Sequence, residues 1–76
     1  MAKFNTYEVY LNSGFKGEFT ATRPHEALDL SIRSLKNEGV DTTYIGTAKT
    51  INSITGETLH YNVYTDHCGV SHYMRQ

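Results

Sequence analysis

The segment Asp66, His67, Cys68, Gly69, Val70, Ser71, His72 gathers an acid, two imidazoles and a thiol within seven positions. With His60 upstream, the set His60, His67, Cys68 and His72 would offer three imidazoles and a thiolate, donor types that zinc accepts. A Cys-x-x-x-His pair without a second cysteine pair is a thin zinc motif, so the expectation is no bound metal and no cofactor, with a small metal-binding protein as one alternative. Asp66, His67 and Cys68 also spell the orienter, base and nucleophile of a thiol relay. Consecutive residues of an extended chain point to alternate sides, however, and do not readily assemble one. The sequence holds no glycine-rich phosphate loop, nucleophile elbow or paired-cysteine motif. The chain is therefore read as non-enzymatic, and residues 66–76 as a loose polar tail or a short extra strand.

A second group of chemistry-bearing residues is aromatic and acidic. Six tyrosines and no tryptophan is a high share for 76 residues, and tyrosine joins a large contact area to a polar tip. Whether these side chains act together depends on the elements that carry them. From Thr6, Tyr7, Val9 and Leu11 alternate with Thr6, Glu8 and Tyr10, the period of a half-buried strand. The triplet Asn12, Ser13, Gly14 fits a three-residue hairpin loop that ends on a left-handed glycine. That loop sets Leu11 opposite Phe15, Val9 opposite Gly17 and Tyr7 opposite Phe19, which collects the large apolar residues on one face.

A helix is expected from Thr22 to Glu26 onward. Arg23 precedes a proline and avoids helical angles, Pro24 suits the first helical position, and Glu26 lies near the positive end of the dipole. Ala27, Leu28, Ser31, Ile32 and Leu35 form one stripe, Gly39 is the stop signal, and Leu30 falls off the stripe as a surface residue or partner contact. A second hairpin from about Thr43 to Thr65 turns at Ile54, Thr55, Gly56. By the same arithmetic Ile51 faces Leu59, Lys49 faces Tyr61 and Thr47 faces Val63. Lys49 is the misfit on that apolar side, resolved by a rim position or a bulge.

Residues 1–76 thus read as one α+β domain: two layers, a four-stranded mostly antiparallel sheet in the order ββαββ, and one helix on one face. The order is similar to the β-grasp arrangement of ubiquitin-like domains, and it carries no functional residue across. The other face would present Tyr10, Tyr44, Tyr64 and His60 beside the directly opposed Glu8 and Glu18. Like charges in that position repel, and Lys16 on the diagonal, or a cationic group on a partner, would offset the repulsion. Two carboxylates are too few ligands for calcium.

A net charge of −1 excludes the basic excess of a general nucleic-acid binder and the acidic excess of a DNA mimic. One cysteine forms no internal disulfide, no run approaches the ~20 apolar residues of a membrane span, and the opening residues lack a signal-peptide pattern. These features lead to the expectation of a cytoplasmic protein with no membrane association. The expected function is that of a small interaction or regulatory protein, of the economy seen in virus- or mobile-element-encoded modulators. It would bind a protein partner, or a second copy as a homodimer, through the tyrosine-bearing face or a strand edge. Stacking of single-stranded nucleic-acid bases on Tyr10, Tyr44 and Tyr64 is the alternative.

Overall fold

A computed structural model describes residues 3–76; Met1 and Ala2 lie outside the described residues. The elements are β1 (Asn5–Leu11), β2 (Lys16–Ala21), α1 (Pro24–Asn37), β3 (Thr47–Asn52), β4 (Thr58–Thr65) and β5 (Ser71–Arg75). All four strand pairings are antiparallel, in the sheet order β2-β1-β3-β4-β5. β2 and β3 flank β1, run parallel to each other and are joined through α1, which makes a split β-α-β unit. The helix lies over β1, β2 and β3. The α+β class stands, but the sheet has five strands where four were expected.

The first hairpin has the register that its turn and its apolar alternation dictate together. Gly14 sits at φ 97, its N–H bonds the Leu11 carbonyl, and Tyr7, Val9 and Leu11 are buried. Gly17, opposite Val9, lies between two rings: a Cβ there would stand 3.0 Å from Phe15 Cζ and 3.1 Å from Phe19 Cε2.

The helix begins where Arg23, extended at φ −139 and ψ 152, hands over to Pro24. Ala27, Leu28, Ser31, Ile32 and Leu35 are its buried residues, the expected stripe, and the Ser31 hydroxyl is satisfied by the Leu28 carbonyl at 2.6 Å. At the other end Gly39 at φ 81 closes a Schellman motif, its N–H bonding the Lys36 carbonyl while the Val40 N–H bonds that of Leu35, each at 3.0 Å.

The second hairpin departs from expectation by one residue. Ile51 pairs with Thr58, Lys49 with His60, and Ala48 with Tyr61. Asn52 is the cause. Its N–H bonds the Glu57 carbonyl, and its side-chain Oδ1 accepts the N–H of Ile54 at 2.9 Å and of Thr55 at 3.2 Å, which closes a loop of four residues, Ser53 to Gly56. The longer loop turns Lys49 and Ile51 to the open face and puts Ala48, Thr50 and Asn52 on the helix side, all buried. β3 also starts later than expected. Asp41 Oδ1 accepts both the N–H and the hydroxyl of Thr43, and the Ile45 N–H bonds the Thr42 carbonyl, so the chain is still turning at Tyr44.

Residues 66–76 are largely the fifth strand. Asp66 and Gly69, the latter at φ 84, form a turn, and β5 then pairs along β4 from Thr65↔Ser71 to Tyr61↔Arg75. Two polar contacts tie this addition to the helix: Lys36 Nζ donates to the Gly69 carbonyl at 3.0 Å, and Tyr73 Oη donates to Asp29 Oδ1 at 2.8 Å.

Gly17→Ala should lower the stability by about 1–3 kcal/mol, because the methyl group must displace ring atoms on both sides. Gly46→Ala, whose methyl would meet nothing within 4 Å, should leave the urea midpoint nearly unchanged. Equal midpoints for the two variants would refute this account of the Phe15, Gly17, Phe19 cluster.

Candidate functional site

The sheet face opposite α1 carries the side chains of Glu8 and Tyr10 from β1, Lys16 and Glu18 from β2, Lys49 and Ile51 from β3, His60, Asn62 and Tyr64 from β4, and His72 and Met74 from β5. Register fixes the neighbours: Glu8↔Glu18, Tyr10↔Lys16 and Tyr10↔Lys49, Lys49↔His60, Asn62↔Met74 and Tyr64↔His72. Tyr10 is the centre of the β1 half. Lys16 and Lys49 reach it from the two flanking strands, with ammonium groups 5.4 and 4.8 Å from the ring centroid, and its hydroxyl donates to Glu8 Oε1 at 3.3 Å. The opposed Glu8 and Glu18 are as expected, but Lys16 turns to the Tyr10 ring and forms no ion pair with either glutamate.

On the β4–β5 half, the Tyr64 and His72 rings stack with centroids 4.7 Å apart and an 18° interplanar angle. His72 Nε2 meets Asp66 Oδ2 at 2.8 Å, and the other carboxylate oxygen accepts the N–H of Cys68 at 2.9 Å and of Val70 at 3.0 Å. These bonds, that of His72 first, hold the Asp66 carboxyl below its usual range. Tyr64 is 54% and Met74 61% exposed, so this half is the more apolar part of the face. Gln76 Nε2 donates to Asn62 Oδ1 at 2.9 Å.

Five of the expected partner-binding residues, Glu8, Tyr10, Glu18, His60 and Tyr64, share this face. Two do not. Tyr44 is 73% exposed in the turn before β3, and Leu30 lies on the exposed side of α1 on the opposite side of the molecule. Lys49, Ile51, His72 and Met74 join the face unannounced: the first two through the one-residue shift, the others through β5. The turn signal Asp66-x-x-Gly69 ahead of β5 is the mark from which that strand was readable.

The zinc candidates His60, His67, Cys68 and His72 do not converge; among the described residues no group of three or more His, Cys, Asp or Glu side chains could hold a metal ion. The acid, base and thiol of the tail do not form a relay either. Asp66 orients His72 and binds the backbone N–H of Cys68, while Cys68 is exposed in the turn. The chain matches no family model, no curated protein and no solved structure.

Because the folded-state pKa of Asp66 is depressed, the stabilisation it gives is fully present above the ordinary aspartate value of about 4 and is lost as pH falls through the folded value. Protonation there should release the β4–β5 turn, read as coincident movement of the Cys68 and Val70 amide resonances in acid. Asp66→Asn should abolish that step. Persistence of the step in the variant would overturn the role given to Asp66.

Proposed function

We propose that this protein is a small non-enzymatic binding module that engages a protein partner, or a second copy of itself, through the open face of its sheet. The observation that supports it is the distribution of side chains there. One helix covers one side of the sheet, and the uncovered side presents Tyr10 in its β1 half and Tyr64 and Met74 in its β4–β5 half, among charges of both signs. Large apolar and aromatic groups that make and exclude contacts, edged by polar ones, are what protein interfaces use. Charge favours a protein over a nucleic acid. Lys16 and Lys49 are matched by Glu8 and Glu18, which leaves no excess to neutralise phosphates. The same lysines flank the Tyr10 ring, where a stacked base would have to lie.

The reading is tested by Tyr10→Ala combined with Tyr64→Ala. Both side chains stand outside the core, so the double variant should retain its fold by circular dichroism. It should lose self-association in sedimentation, or lose a partner captured from the native host, by about tenfold or more in affinity if the two tyrosines are interface anchors. A double variant that binds and sediments as the parent does removes the sheet face from consideration.

A further inference from the structure

The other side of the sheet holds a cleft of about 470 Å³ where the start of α1 faces β4 and β5. Arg23, Pro24 and His25 form one wall, and Leu59, Tyr61, Tyr73 and Arg75 form the other. It exists because α1 lies over β1, β2 and β3, so the helix-side surface of the last two strands is only partly covered. Its chemistry is unlike the rest of the molecule. In a chain of net charge −1, two guanidinium groups and an imidazole line this cleft, and no carboxylate does. Neither Arg23 nor Arg75 has an ion-pair partner among the described residues. The helix opens beside Arg23 with no side-chain cap, and Glu26 in its first turn, held by the Thr22 hydroxyl at 2.7 Å, already answers the positive end of the dipole, so the two arginines carry the charge of the cleft.

An adjoining groove of about 360 Å³ gives an internal comparison. It shares His25 and Tyr73 with the cleft but carries Glu26 and Asp29 with the exposed Phe4 and Leu30, so an anion has no reason to settle in it. The cleft and the groove therefore differ in sign across a shared boundary.

We propose that the cleft is a binding site for a phosphate monoester carried on an aromatic ring, with the phosphate held by Arg23 and Arg75 and the ring against Leu59, Pro24 and the tyrosines. A phosphate monoester carries about −1.5 to −2 charges near neutral pH and three acceptor oxygens, which suits two forked guanidinium donors better than a single-charged carboxylate does. The apolar and aromatic remainder of the lining selects a flat apolar body behind the charge. This site lies on the opposite side of the sheet from the proposed partner-binding face, and either can stand without the other.

The test is a titration of the isotopically labelled full chain with phenyl phosphate, followed by amide resonances. Saturable shifts should be confined to residues 23, 25, 59–61 and 73–75, and inorganic phosphate or phenol alone should bind about tenfold more weakly or worse. Arg23→Gln and Arg75→Gln alter exposed side chains; each should weaken phenyl phosphate about tenfold with the remaining spectrum unchanged, whereas Lys16→Gln should have no effect. Free phosphotyrosine, an aryl phosphate, should bind at least as tightly as phenyl phosphate, whereas adenosine monophosphate, whose phosphate sits on the ribose and not on the ring, should bind more weakly. Three results would overturn the site: no saturable shifts at millimolar phenyl phosphate, arginine variants that bind as the parent does, or shifts centred on Lys16 and Lys49.

Discussion

The ammonium of Lys49 cannot lie beneath α1 among Leu28, Ile32 and Tyr61, and its exclusion governs how the middle of the sheet is put together. A buried, unpaired charge would cost several kcal/mol in a core this small. Pairing β3 and β4 through a four-residue loop places Lys49 on the open face and leaves Ala48 and Thr50 under the helix, where small side chains let the helix approach the sheet. β3 also pairs with β1, so the same choice sets Tyr10 beside Lys49 and Val9 beside Thr50. Register at one strand thereby determines the composition of both faces.

The dimensions of the two layers account for the cleft. A helix is about 10 Å wide with its side chains, and strands are spaced about 4.8 Å apart, so one helix shields two to three strands of five. The helix lies over β1, β2 and β3 because its two connections run directly to β2 and β3. β4 remains anchored through Tyr61 and Val63, both buried, and through the bond from the Val63 N–H to the Gly46 carbonyl. Beyond them the sheet is covered only by the start of α1, and an arginine stands on either side of that space.

The first hairpin and the helix were legible because independent signals coincide in them. Gly14, the Tyr7, Val9, Leu11 alternation and the Phe15, Phe19 pair demand one register, and Pro24 and Gly39 bracket a stripe of correct period. β3 had no such agreement. Ile51, the one large apolar residue of β3, favours the register that turns it to the helix, Lys49 on the same side opposes it, and the side-chain bonds of Asn52 that lengthen the loop and decide the matter leave no trace in hydropathy. β5 alternates Ser71, Tyr73 and Arg75 with His72 and Met74, neither set being an apolar face. Glu8, Tyr10, Glu18, His60 and Tyr64 were placed correctly because they stand on strands whose faces do not depend on the β3 shift. The cleft was not legible at all, since it joins residues 23–25 to residues 59–75 through tertiary packing.

β5 is attached by different physics from β1 to β4. Its one large inward side chain, Tyr73, is only half-buried, and its polar hold on the helix is the bond from Tyr73 Oη to Asp29, a carboxylate that also pairs with Arg33 of the same helix at 2.9 Å. Burial, and then the neighbouring Asp29, push the Tyr73 phenol well above its ordinary range, so it is the donor of this bond near neutral pH. Such contacts position a strand with less stabilisation than a buried apolar face supplies, so β5 depends chiefly on its ladder to β4. Arg75 and Tyr73 line the cleft from that strand, and Arg23 and His25 line it from the helix. Through the His72 bond to Asp66 and the stack of His72 on Tyr64 the same strand also reaches the open face on the other side.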